Sequence, residues 1–267
     1  MKGARADADR LRPGCSPFRW SSDAVSHRGR VRKANEDACL DQPERGLWAV
    51  ADGMGGHSMG ELASRLVVES LMTVPAAHGL AQLIDHTRDR LQSANRQIRI
   101  EAFMRAVQTI GTTVAVLLAS GRSCAYLWAG DSRIYLCRDG RLRLLTRDHS
   151  HVQEVRSLGD VSADDTAFRP PSNLITRAVG IAETVDLEEG RIDVIDGDIF
   201  LLCTDGLSNE VYDLEIGHAL LPGSCRQATA ALLEMALKRG GRDNISVVVV
   251  RAEDLQSSDR TGTNPAL

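Results

Sequence analysis

The sequence is poor in aromatic residues: phenylalanine, tryptophan and tyrosine together supply 4% of 267 residues, so its core must be built mainly from aliphatic side chains. It also lacks a long apolar run. The longest, Thr113 to Ala119, is strand-sized and far short of the ~18 residues that cross a bilayer as a helix. The first residues carry charges but no apolar segment, so no secretory signal is expected. Lysine is scarce, present only as Lys2, Lys33 and Lys238. Arginines are scattered and the formal net charge is -4, so the basic footprint of a nucleic-acid binder is missing. The cysteines at 15, 39, 124, 137, 203 and 225 form no C-x-x-C pair. Reduced, buried thiols in a cytoplasmic protein fit that usage better than a disulfide frame or a zinc site. Cys203 has no basic neighbour in sequence that would lower its pKa and make it a nucleophile.

What is present is one domain's worth of ordinary globular sequence. Residues 1–18 are rich in Arg, Asp, Gly and Pro and read as a flexible arm; 254–267 read as a polar tail. The domain is placed at 19–253, without internal repeats. Leu47 to Ala51 is a short apolar strand ending at Asp52-Gly53. Glu61 to Leu71 and Leu80 to Val107 carry helical spacing. Thr112 to Ala119, Ser123 to Gly130 and Arg133 to Arg138 are successive strands, and Asp139-Gly140 signals a hairpin into Arg141 to Leu145. A strand at Asp198 to Thr204, a helix at Gln227 to Lys238 and a strand at Ile245 to Arg251 follow. Consecutive strands with inserted helices predict an α+β fold with mainly antiparallel sheets.

The carboxylates sit at the turns. Asp52 and Asp205 each follow an apolar strand and precede a glycine; Asp131 follows Gly130 between two strands. Asp243 lies between a glycine pair and the closing strand, and Glu36 and Asp37 are adjacent. Taken singly, Asp-Gly is ordinary turn chemistry. Taken together, acidic side chains on rigid strand ends can converge. Converging carboxylates would repel one another and hold protons unless cations such as Mg²⁺ or Mn²⁺ join them. Spacing alone does not establish convergence.

Eight segments, in order, resemble the PPM-type (PP2C-like) protein phosphatases in their bacterial form. They are Val31-Arg32-Lys33-Ala34-Asn35-Glu36-Asp37, Ala51-Asp52-Gly53-Met54-Gly55-Gly56-His57, Gly111-Thr112-Thr113 and Gly130-Asp131-Ser132-Arg133. Leu145-Thr146-Arg147-Asp148-His149-Ser150, Asn173-Leu174-Ile175-Thr176-Arg177-Ala178-Val179-Gly180, Thr204-Asp205-Gly206-Leu207 and Gly241-Arg242-Asp243-Asn244-Ile245-Ser246 complete the set. The resemblance implies a four-layer α-β-β-α sandwich with a metal centre at one end. It implies that Asp52 bridges two Mn²⁺ or Mg²⁺ ions, that Asp205 and Asp243 complete the first site, and that Glu36 and the Gly53 carbonyl serve the second. Asp37 would hold a metal-bound water, Asp131 with shared Asp205 a third ion, and Arg32 the substrate phosphate. The implied activity is hydrolysis of phosphoserine and phosphothreonine in proteins by a metal-bridging hydroxide, opposing a bacterial Ser/Thr kinase.

The resemblance departs from animal members at Met54, where those carry a histidine proposed as leaving-group acid. His57 and the pair Asp148 and His149 read as structural, and Thr112 and Thr113 as core-strand residues. The stretch Val152 to Arg169 corresponds to the family's flap. Phosphorylated proteins, a cognate kinase and a monomeric state are expected; nucleic acid and membrane are not. The chain also looks somewhat like phosphatases associated with type VI secretion. A phosphodiesterase or nuclease would show metal-spaced histidines or a basic track, and His149-x-His151 is too slight for either. A pseudophosphatase would have lost a metal aspartate, whereas every matching position here is acidic.

Overall fold

The computed structural model describes residues 17–55, 59–107, 109–150 and 175–258. Residues 1–16 of the expected arm and His57 lie outside these residues, as do the flap stretch and most of the tail; Phe18, placed in the arm, is the first residue of a strand. Two antiparallel sheets form the centre. One runs β1 (Phe18–His27), β11 (Ile245–Asp254), β10 (Ile199–Cys203), β7 (Arg133–Arg138) and β8 (Arg141–Leu144). The other runs β2 (Asp37–Gln42), β3 (Leu47–Met54), β5 (Val114–Ser120), β6 (Ser123–Ala129) and β9 (Glu188–Asp193). A two-residue strand, β4 (Gly111–Thr112), pairs with the end of β3.

Alternation along the strands divides their side chains between two cores. In β11, Val248 and Val250 enter the inter-sheet core, whereas Val247 and Val249 face the helices α4 (Asp213–Leu220) and α5 (Cys225–Lys238). In β3, Trp48 and Val50 point between the sheets. Leu47, Ala49 and Ala51 point to α1 (Met59–Met72) and α2 (Leu80–Met104). Strands buried on both faces must be apolar throughout, which is why these runs lack visible alternation in sequence. Three cores make four layers, α-β-β-α, as the resemblance implies.

Three of the scarce aromatics meet between the sheets: the Trp20 ring lies 5.4 Å from Trp48 and 6.5 Å from Phe200, centroid to centroid. The Asp139-Gly140 turn has φ of 51° and 74°, the paired left-handed conformation of a tight hairpin. The helix expected over 80–107 ends at Met104. Its last turn packs Ala102 on the core and leaves Ile100, Phe103 and Met104 exposed. The strand expected over 112–119 is broken at Thr113, whose hydroxyl accepts the Asp52 N–H at 3.0 Å in place of a ladder carbonyl.

All five described cysteines are unpaired thiols, and Cys203 is fully buried with its pKa pushed up to about 12 by burial, which makes it inert. Among the described residues no helix is long and apolar enough to cross a membrane.

The wholly buried Trp48 sits at the centre of the inter-sheet core. Trp48→Ala is expected to cost about 3–5 kcal/mol, measured by denaturant unfolding of folded variant against wild type.

Candidate metal centre

Each acidic residue sits where a strand stops, and the stops coincide at one pole. Asp37 opens β2 and Asp52 lies two residues before the end of β3, and the two are direct cross-strand partners. Asp205 follows β10 and starts a single helical turn, α3 (Asp205–Ser208). Asp131 follows β6. Asp243 precedes β11, just after α5 has been stopped by Gly240 and Gly241.

Several side chains tie these turns together. The Thr204 hydroxyl donates to Asp37 Oδ2 at 2.8 Å and accepts the Ser246 N–H at 3.0 Å. Asn244 clamps the loop before β2: its Oδ1 accepts the Glu36 N–H at 2.8 Å. Its Nδ2 donates to the carbonyls of Arg28 at 2.8 Å and Ala34 at 2.9 Å. A Cβ on Gly206 would lie 1.9 Å from the Asn244 carbonyl oxygen, so only glycine lets α3 approach β11 this closely. Gly60 does the same at the start of α1, where a Cβ would lie 2.6 Å from the Gly53 carbonyl oxygen and 3.0 Å from the Glu36 carboxyl carbon. The bare Gly60 thereby brings the Glu36 carboxylate and the Gly53 carbonyl to one spot.

The electrostatics report the crowding. Burial raises Asp37 to about 7, partly offset by Thr204. Burial lifts Asp52 well above its ordinary value, and Asp37, Asp205, Asp131 and Asp243 push it further. Burial, then Asp205 and Asp148, raise Asp131 to about 7. Burial and Asp243 raise Asp205. Burial also raises Glu36, against the pull of Arg32 and the Gly60 N–H. Arg32 stands at the mouth, its Nη2 2.6 Å from Asp243 Oδ2, with the side chain half exposed.

The donor set fits a hard divalent cation. The buried Oδ1 atoms of Asp37 and Asp205 have no hydrogen-bond partner among the described residues, an expensive state for a carboxylate unless a cation supplies the missing contact. Among the described residues no three acidic, histidine or cysteine side chains close on one point as a finished cage. The carboxylates are electrostatic neighbours, all oxygen donors of the kind Mg²⁺ and Mn²⁺ prefer.

All the acidic residues singled out in the sequence, with Arg32 and Gly53, thus lie at this pole. Thr204 and Asn244 were not singled out, although each adjoins an acidic residue in a quoted segment. Thr113 is buried as expected but stands at the break between two strands, and it also holds Asp52. Asp148 supports the fold through Arg133, at 2.7 Å.

The family described as protein phosphatase 2C matches residues 26–246, and the chain belongs to it. The serine/threonine protein phosphatase PstP of Mycobacterium tuberculosis is 35% identical over 248 residues, which are 91% of this chain and 46% of that protein. The chain therefore spans about half the length of that relative. Among solved structures, PppA, described as a key regulatory component of T6SS in Pseudomonas aeruginosa, is 43% identical with a TM-score of 0.81. The match covers 87% of this chain and 97% of that one. The catalytic domain of PstP in complex with two manganese ions is 34% identical with a TM-score of 0.77, covering 89% and 100%.

With chelator present, Asp37 and Asp131 hold protons up to about pH 7, against an ordinary value of 3.8. Between those limits the folded state binds more protons than the unfolded one, so the metal-free protein should lose stability as pH rises from about 4 to about 7. Asp52→Asn removes one charge from the group. In chelator at pH 8 it should melt higher than wild type by circular dichroism, and lose the stabilisation that Mn²⁺ gives the wild type.

Proposed function

We propose that this chain is a metal-dependent phosphatase that hydrolyses phosphoserine and phosphothreonine in proteins. The observation that carries the proposal is the meeting of acidic strand ends, with two orphaned carboxylate oxygens, beside a half-exposed arginine. In this reading Asp52, Asp205 and Asp243 would hold one ion, and Asp52 would also serve the second. Glu36 and the Gly53 carbonyl would hold the second, and Asp131 with Asp205 a third. Mn²⁺ or Mg²⁺ bound there supplies Lewis acidity and a water acidified towards neutrality.

The protein's own groups do the rest. Asp37, fixed by Thr204, orients water at the pole. With a cation beside it Asp37 would be ionised, and its unpartnered Oδ1 would accept a hydrogen bond from water. Arg32 offers a planar fork to the phosphate, and its charge offsets the negative charge of the phosphoryl oxygens. Asp243 holds that guanidinium at the mouth before substrate arrives. Such an enzyme needs no covalent phosphoenzyme, in keeping with the inert Cys203. Uncatalysed phosphate-monoester hydrolysis calls for accelerations up to ~10²¹-fold, a scale that favours a dense charged site over one acid–base pair. The reading extends to a monomer in the cytoplasm, acting against a Ser/Thr kinase. The similarity to PppA, described as a key regulatory component of T6SS, supports a regulatory setting of that kind.

Phosphate release from a phosphothreonine peptide should depend on Mn²⁺ and fall to background with excess chelator or in Asp205→Asn. Activity that survives both treatments would sink the metal mechanism. Arg32→Ala should lower kcat/KM by about 10²-fold or more while leaving Mn²⁺ binding in place, as read by titration calorimetry.

A further inference from the structure

We propose that His149 is a positioning residue for Asp131, fixing the Gly130 backbone from which that carboxylate projects. The inference rests on the reading of Asp131 as a metal ligand. Gly130 cannot position itself. Its φ is +113°, and a Cβ there would lie 2.6 Å from Thr113 Cγ2, so the turn needs glycine, the residue with most freedom to lose. Its conformation must be imposed by neighbours.

His149 imposes it from both sides of the peptide. The Gly130 N–H donates to His149 Nδ1 at 3.1 Å, and the His149 N–H donates to the Gly130 carbonyl at 2.9 Å. An Nδ1 that accepts must be unprotonated, so the neutral ring carries its hydrogen on Nε2. That atom faces Glu188 Oε1 at 3.0 Å, an electrostatic contact rather than a well-aligned hydrogen bond. Arg177 in turn holds Glu188 at 3.3 Å. The ring is stacked on Trp128, centroids 5.9 Å apart and planes 8° apart, and Trp128 is anchored by its N–H to the Arg147 carbonyl at 2.8 Å. The ring therefore has a fixed plane, a fixed tautomer and 4% exposure. Burial holds its pKa below the ordinary value, consistent with a neutral acceptor.

The residue after Asp131 is held as well. The Ser132 and Thr113 hydroxyls lie 2.7 Å apart, and the same Thr113 oxygen accepts the Asp52 N–H. Asp131 is thus suspended between two anchors. One of them is shared with Asp52; the other is His149. Loss of an outer group that orients a metal ligand typically costs about 10–100-fold in affinity.

The test is Mn²⁺ binding, followed by electron paramagnetic resonance of the free ion, on the full chain. Wild type should show a weak class of site beside tighter ones, and Asp131→Asn should abolish the weak class. His149→Ala should weaken that class by about 10–100-fold and leave the tighter ones unchanged. The double variant Asp131→Asn/His149→Ala should match Asp131→Asn. His149→Asn keeps an acceptor near the Nδ1 position, whereas His149→Gln keeps the volume but moves its amide past it. The first should bind like wild type and the second like His149→Ala, and this pair carries the test if the alanine variant does not fold. Equal weak-site affinities for the Asn and Gln variants, or a uniform loss across all classes, would overturn the proposal. If Asp131→Asn leaves Mn²⁺ binding intact, the ligand reading of Asp131 fails first, and this proposal falls with it.

Discussion

The molecule is organised around a repulsion. Asp37, Asp52, Asp131, Asp205 and Asp243 are held within reach of one another's charge, partly out of water, which no polypeptide would do without a rigid frame. The frame is the pair of sheets. Each strand is fixed on both faces by apolar packing, so its end cannot retreat from the pole. Hydroxyl and amide side chains, chiefly Thr204, Asn244 and Thr113, then bind one strand end to the next. Stability and chemistry pull in opposite directions here. The charges that weaken the metal-free fold are those that suit the pole to divalent cations.

Much of this was legible from the sequence, for identifiable reasons. The doubly buried strands β3, β5, β10 and β11 announce themselves as short apolar runs, and Asp52 and Asp205, near the ends of β3 and β10, are easily seen. β1, β2 and β9 were missed because they are only partly buried and mix polar with apolar residues: β1 reads FRWSSDAVSH and β9 reads EEGRID. Missing β2 hid the cross-strand pairing of Asp37 with Asp52, the most direct sign that two distant acidic segments meet. The break at Thr113 was invisible for another reason. It depends on one hydroxyl replacing a ladder carbonyl, which no periodicity records.

The supporting residues were harder to read than the carboxylates. Thr204 and Asn244 are ordinary polar residues whose roles exist only after folding, since each reaches a partner far away in sequence. His149 shows the same limit. A histidine stacked on a tryptophan reads as structural, and so it is, but what it structures is a turn bearing a carboxylate of the pole.

β1 and β11 pair in full antiparallel register, from Phe18 against Asp254 to His27 against Ile245. The acidic pole adjoins His27 and Ile245. The chain therefore enters and leaves the sandwich at the far end, separated from the pole by ten residues of strand, about 30 Å. Passenger segments fused before Phe18 or beyond Asp254 would start on the side away from the acidic pole. A tether placed at either point would leave Arg32 and the acidic pole on the opposite side.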